Sequence, residues 1–144
     1  MHFVTITIPG EPVAKERARI TVVAGRARAY TPKKTVHFES HVQWLAVEAM
    51  GGHKPLTGAL GVRVRLYRSI PASWSKKKKD RALAGILLPE SRPDIDNYLK
   101  SVLDAMNAIV YVDDALICDL SVTKRYSSEP RLTVDVYQLN RPVG

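Results

Sequence analysis

The chain of 144 residues lacks the features that mark secreted and membrane proteins. Its single cysteine, Cys118, cannot form a disulfide within the chain. No apolar run approaches the roughly 20 residues needed to span a membrane, and no charged start followed by an apolar block indicates a secretory signal. We therefore expect a cytoplasmic protein that does not contact a membrane.

Acidic residues are also scarce, since 14 aspartates and glutamates stand against 22 lysines and arginines, and the net charge is +8. Residues 11–34 carry seven basic and two acidic residues, and residues 75–82 carry five and one. Such segments attract nucleic-acid phosphates, although a lysine run also occurs on ordinary solvated helix faces. The two segments together favour DNA as the partner. The predicted DNA-contacting residues are Lys15, Arg17, Arg19, Arg26, Arg28, Lys76, Lys77, Lys78 and Lys79.

The order of periodic segments predicts an α+β fold in a single compact domain over residues 1–144, with a small mixed β-sheet packed with about three helices. Alternating apolar residues predict strands at 3–9, 60–67, 115–126 and 131–139. We expect the last two strands to pair as antiparallel neighbours, because a short turn-like segment joins them. Gly25 predicts the turn of a hairpin within the basic loop.

Three segments have helical patterns. The first begins at an expected N-cap, Thr31, followed by Pro32, and ends before Gly51. The second is a short basic helix within residues 73–87, and the third begins near Asp94. The predicted buried stripe of the first helix consists of Phe38, Val42, Leu45 and Ala49.

Five of the scarce acidic residues are concentrated in one passage, residues 92–117, RPDIDNYLKSVLDAMNAIVYVDDALI. On a helix beginning near Asp94, Asp96 lies at the margin of the apolar arc and Lys100 lies one turn further on. Asp113 and Asp114 follow a short apolar run and are placed at the rim of the sheet. Three or four carboxylates can therefore meet. The predicted apolar arc consists of Ile95, Leu99, Val102, Leu103 and Met106.

Carboxylates that meet without a counter-charge repel one another, and a divalent cation removes this conflict. Oxygen ligands suit Mg²⁺ or Mn²⁺, which activate water and polarise a phosphoryl oxygen, and a nearby ammonium stabilises the developing charge. The structural alternative is a helix cap at Asp94 or Asp96, and an ordinary surface ion pair between Asp96 and Lys100. An EF-hand is excluded, because Leu99 and Ala105 occupy the positions that require glycine and glutamate. Spacing alone indicates metal-dependent phosphate chemistry.

The whole passage resembles the signature of the RusA family of crossover junction endodeoxyribonucleases, which are Holliday junction resolvases of bacteria and prophages. It contains an Asp-x-Asp-Asn motif, a lysine six residues after the first aspartate, Leu-Asp-Ala and Tyr-x-Asp-Asp. The segments ITIPGEPVAKERAR and AYTPKKT resemble the amino-terminal strand and basic loop of that family. The resemblance therefore spans most of the chain.

This resemblance implies that Asp94, Asp96 and Asp114 are catalytic ligands of Mg²⁺, or of Mn²⁺ in its place, and that Lys100 is the catalytic lysine. Asp113 is an alternative metal ligand. The remaining aspartate, Asp104, is expected to be structural and to face away from the site. A homodimer that cuts two opposed strands of a four-way junction in DNA recombination and repair is also implied. Two alternatives remain: a dimeric DNA-binding module without catalysis, and a metal nuclease acting on flaps or duplex DNA.

Overall fold

The computed structural model describes residues 3–15, 19–30 and 33–139, apart from the side chains of Arg19 and Tyr30. Within these ranges the chain forms six strands, three α-helices and one turn of 3₁₀-helix. The predicted α+β class is confirmed. The elements are β1 (Phe3–Pro9), β2 (Arg19–Val23), β3 (Arg26–Tyr30), α1 (Lys33–Met50), β4 (Leu60–Arg68), α2 (Lys76–Leu83), α3 (Ile95–Met106), the 3₁₀ turn (Asp114–Leu116), β5 (Ile117–Tyr126) and β6 (Arg131–Gln138).

The larger sheet has four strands in the order β1, β6, β4, β5. Strand β6 is antiparallel to both of its neighbours, whereas β4 and β5 are parallel. The prediction that the last two strands pair with each other is wrong, because β4 lies between β5 and β6. A parallel pair needs a long crossover, and the chain between β4 and β5, which includes α2 and α3, provides it.

The core lies on one face of this sheet, which α1 and α3 cover. The strong alternation of β4 is confirmed, since Val62, Val64 and Leu66 are fully buried. On the opposite face, Arg65 Nη2 donates to Asp135 Oδ2 at 2.8 Å, and this ion pair joins the two central strands. The sheet therefore has one apolar and one polar face.

The buried stripe of α1 differs from the prediction. Its buried apolar residues follow a four-residue spacing through Ala46 and Met50, whereas Leu45 and Ala49 lie at the edge of the core. Four residues rotate an α-helix by about 40° more than one full turn, so the line of buried residues winds gradually around α1. This agrees with the packing of α1 against both β1 and α3. The predicted cap, Thr31 and Pro32, lies outside the described residues.

The predicted hairpin and the basic helix are both confirmed. Strands β2 and β3 form a separate two-stranded sheet that turns at Gly25, whose φ of +76° favours glycine. Helix α2 begins after Ser75, whose hydroxyl accepts a hydrogen bond from the Lys78 backbone N–H at 3.2 Å. None of the helices in the described ranges has the length and apolar character needed to span a membrane.

Candidate active site

Asp94 and Asp96 lie at the start of α3, and both are exposed. Asp94 occupies the N-cap position, but its side chain makes no capping hydrogen bond. Within the described part of the chain, no hydrogen bond or ion pair involves the Asp96 carboxylate, and Asp96 is not paired with Lys100. The structural alternative of a side-chain cap and a surface ion pair is therefore not realised, and both carboxylates are available for a ligand.

Two basic side chains of the sheet hold the segment that leads into Asp94. Arg68 Nη1, at the end of β4, donates to Ser91 Oγ at 3.0 Å. Lys124 Nζ, on β5, donates to the Ser91 carbonyl oxygen at 3.0 Å. The start of α3 is thus fixed to the parallel pair of strands. Sequence reasoning missed both residues, because no local pattern links them to a segment more than twenty positions away.

Asp113 and Asp114 form a second carboxylate pair just before β5. Asp113 Oδ1 accepts a hydrogen bond from the Ala115 backbone N–H at 3.1 Å, and this bond, followed by one with the Asp114 side chain, lowers the pKa of Asp113. The side-chain hydrogen bond with Asp113 raises the pKa of Asp114, with smaller contributions from desolvation and from the negative charges of Asp113 and Asp104. Among the residues that the structure describes, no basic side chain forms an ion pair with either carboxylate.

The raised pKa of Asp114 makes its contribution to stability depend on pH. Its protonated form is favoured in the folded state, so this contribution to stability is present below the ordinary carboxyl pKa of 3.8 and is lost as the pH rises through the raised value. At neutral pH the raised pKa of Asp114 therefore opposes folding, whereas the lowered pKa of Asp113 acts in the opposite direction. A bound cation would remove this repulsion.

The exposed face of α3 connects the two pairs. Asp96, Lys100 and Asp104 are spaced four residues apart and share that face. The prediction that Asp104 faces away is wrong, because eight residues are little more than two turns, and the charge of Asp104 reaches Asp114. Asp96 and Asp104 are about 12 Å apart along the helix axis. In consequence, the carboxylate pair at the start of α3 and the Asp113–Asp114 pair lie towards opposite ends of this face.

The predicted meeting of three or four carboxylates is not seen in this arrangement. Among the described residues, no three histidine, cysteine, aspartate or glutamate side chains lie close enough together to hold a metal ion. The reason is that Asp113 and Asp114 lie beside the carboxyl-terminal half of α3, where Tyr111 Oη donates to the Leu103 carbonyl oxygen at 2.6 Å. The four carboxylates are thus two separate pairs.

Asp104 has a structural contact as well. Lys15 Nζ donates to Asp104 Oδ2 and to Glu39 Oε1, each at 2.9 Å, and joins α1 to α3. Burial alone would lower the pKa of Lys15, but the two carboxylates outweigh it and the pKa is raised. This bridge gives Lys15 a structural role that the sequence did not reveal.

Replacing Lys15 by methionine tests this bridge. The Lys15→Met substitution keeps most of the aliphatic volume but leaves Glu39 and Asp104 without their shared cation. We expect the free energy of unfolding to fall by about 1 kcal/mol, because the pairs are only half-buried, and the midpoint of thermal unfolding to fall by about 4 °C. Lys54→Met, at an exposed lysine, is the matched control and should change the midpoint by less than half as much. Equal midpoints for the two variants would show that the bridge does not stabilise the fold.

The two basic segments form separate surfaces. Lys76, Lys77 and Lys78 are exposed on α2, and Lys79 is half-buried. In the hairpin, Arg26 and Arg28 are exposed, and they are two residues apart on one strand and so point to the same face. A two-stranded ribbon of this kind fits the major groove of DNA. Among the other predicted contacts, Arg17 and the side chain of Arg19 lie outside the described residues.

Exposed carboxylates beside a lysine on a basic α+β domain suit metal-assisted chemistry on phosphates. The family described as Endodeoxyribonuclease RusA matches residues 9–137, nearly the whole chain, and the protein belongs to this family of DNA endonucleases. The chain is also similar to the "Uncharacterized protein YqaN" of Bacillus subtilis (strain 168), with 39% identity over 145 residues, 97% of this chain and 99% of that protein. The candidate carboxylates and Lys100 all fall within the matched range.

Proposed function

We propose that this protein is a divalent-metal-dependent endonuclease that resolves four-way DNA junctions by paired cleavage of opposed strands. The observation that carries the proposal is the family match over residues 9–137, which contains the full set of exposed carboxylates. Asp94, Asp96 and Asp114 are the proposed catalytic carboxylates, with Lys100 beside them. The enzyme would act in the cytoplasm of a bacterium, in recombination and repair of chromosomal or prophage DNA.

The donor atoms of the carboxylates fit Mg²⁺ or Mn²⁺, and because the two pairs lie apart, each pair would offer only some of the ligands of an ion, with water or DNA phosphate oxygens as the others. All proposed ligands are oxygen atoms, and the raised pKa of Asp114 indicates unneutralised negative charge at one of the two pairs. Asp113 already accepts a backbone hydrogen bond, which favours Asp114 as the ligand of that pair. The bound ion would supply Lewis-acid activation of water and of the phosphoryl oxygen. Lys100, on the face between the pairs, would stabilise charge on the phosphate.

Two surfaces support the proposed DNA contacts. The lysines of α2 and the arginines of the hairpin carry positive charge on elements that are not part of the four-stranded sheet. Phosphate binding at such residues releases counterions and favours association with any DNA. Because charge alone does not distinguish branched from linear DNA, a preference for the branched substrate would depend on the shape of the DNA.

A homodimer is also part of the proposal, because paired cleavage needs two active sites. Helix α1 carries three exposed apolar residues, Val36, Trp44 and Val47, at 44%, 62% and 57% exposure. Their positions fall within about 80° of one another around the helix. This apolar strip is the candidate dimer surface.

Cleavage of synthetic DNA tests the proposal. We expect the intact protein to cut a labelled four-way junction in the presence of Mg²⁺ and to leave it intact in EDTA. Cuts should fall at symmetrical positions in two opposed strands. Three-way, flap and linear duplex DNA of the same sequence should be cut at least about tenfold more slowly, because shape rather than sequence selects the substrate.

The same panel separates the alternatives. Equal cleavage of flaps or linear duplex would indicate a metal nuclease without junction selectivity. Binding of the junction without cleavage in Mg²⁺ or Mn²⁺ would indicate a DNA-binding module, and would refute the proposal.

A further inference from the structure

A cavity bordered by two aromatic rings lies beside α2. This aromatic notch, defined by Trp74, Tyr126 and Lys78, has a volume of about 340 Å³. The ring centroids of Trp74 and Tyr126 are 5.3 Å apart, and the ring planes meet at 71°. Lys78 Nζ lies 4.0 Å from the centroid of the Trp74 ring. The notch therefore combines aromatic surface with a cation.

The two rings do not belong to the hydrophobic core. Both are half-buried, and neither is part of the cluster of buried residues beneath the sheet. Leu88, which also lines the notch, is 43% exposed. Apolar surface therefore remains open to solvent here, next to the most basic helix of the protein.

The notch lies next to the segment that leads into the candidate active site. Glu90 and Ser91 line it, and Asp94 follows three residues after Ser91. Arg68 and Lys124 fix Ser91 to the ends of β4 and β5 through the hydrogen bonds described above. A group bound in the notch would therefore be held at a fixed place relative to the start of α3.

A nucleobase has the flat π-surface that such a notch accommodates, and the phosphates on either side of it match the lysines of α2. We propose that the aromatic notch binds an unstacked nucleobase at the branch point of the DNA. This inference rests on the proposed function and adds a base-binding contact to it. It is independent of base identity, because every base has a π-face.

Lys78 has two successive partners in this proposal. In the free protein its ammonium lies over the Trp74 ring, a weak contact at an exposed site. When DNA binds, the ammonium moves to a neighbouring phosphate, and the base occupies the ring face that the ammonium leaves. The lysine thus covers the ring face in the free protein and leaves it open to the base when DNA binds.

Binding in EDTA, where no cleavage occurs, tests the proposal. The probes are an oligothymidylate and an abasic deoxyribose-phosphate strand of the same length, which differ only in the bases. We expect the intact protein to bind the oligothymidylate about tenfold more tightly, within the range of a base stacked on an aromatic side chain. Trp74→Ala should remove this difference, and Trp74→Phe should keep most of it. Phe3→Leu, at an exposed aromatic residue of β1, is the matched control and should keep all of it.

Fluorescence covers the possibility that Trp74→Ala does not fold. In the Trp44→Phe variant, Trp74 is the remaining tryptophan, and the oligothymidylate should quench its emission whereas the abasic strand should not. A four-way junction with abasic sites at the branch should bind less tightly than the intact junction by a similar factor.

Equal affinity of the intact protein for both strands, or unchanged Trp74 emission with the oligothymidylate, would overturn the notch proposal. Failure of the proposed function would be recognised differently, as a protein that shows these base effects but does not cut the junction in Mg²⁺.

Discussion

Asp94→Asn is expected to lower the rate of junction cleavage by about 10³-fold while the protein still binds the junction. Loss of one metal ligand removes several kcal/mol of transition-state stabilisation, and each 1.36 kcal/mol is worth a factor of ten. Asparagine is as good an N-cap as aspartate, so α3 should keep its start. Binding should change by no more than about threefold, because one exposed charge is involved. The measurements are single-turnover cleavage in Mg²⁺ and equilibrium binding in EDTA.

The control for Asp94→Asn is Asp119→Asn. Asp119 is an exposed aspartate on β5, outside the four carboxylates of the candidate site. The same loss of one negative charge there should leave the cleavage rate within about twofold of the intact protein. If the two variants retained equal activity, Asp94 would not be a catalytic ligand. A general loss of binding by Asp94→Asn would instead point to a change of fold, which thermal unfolding would reveal.

Local patterns predicted those parts of the fold that depend on neighbouring residues. The alternation around Val64 identified β4, and the basic segment within residues 73–87 identified α2. The partners of β5 and β6 could not be predicted in this way, because β6 pairs with β1 and β4, and β5 pairs with β4, through contacts distant in sequence. Strand order is decided by how the whole sheet buries its apolar face.

The candidate site shows the same limit. The motif identified the aspartates of α3 and the pair before β5. The distance between these two groups depends on the path that the chain takes beside α3 after Met106. That path is fixed by Tyr111, which is buried and bonded to the backbone of α3. The contacts of Arg68 and Lys124 with the start of α3 were likewise beyond the sequence, since they come from other strands.

Lys100→Met is expected to lower the cleavage rate by about 10²-fold, the usual effect of removing one group that stabilises transition-state charge. Lys100 is exposed on α3 between Asp96 and Asp104, and among the described side chains no carboxylate pairs with it. Its ammonium is therefore available to the scissile phosphate. The substitution also leaves two aspartates on this face without a cation between them, so thermal unfolding should be measured alongside cleavage.

Separate measurements of the cleavage rate and of the junction affinity distinguish a catalytic role of Lys100 from a role in DNA binding. If its ammonium stabilises charge in the transition state, the single-turnover rate at saturating junction falls while the dissociation constant in EDTA stays nearly constant. If it is only one of many phosphate contacts, the dissociation constant rises and the saturated rate is unchanged. Lys100→Arg, which keeps the charge, should recover part of the rate. Lys54→Met removes an exposed lysine outside α3 that has no predicted DNA contact, so we expect it to alter neither quantity. A saturated rate for Lys100→Met equal to that of Lys54→Met would exclude Lys100 from the chemical step and leave the carboxylates with their metal as the whole catalytic set.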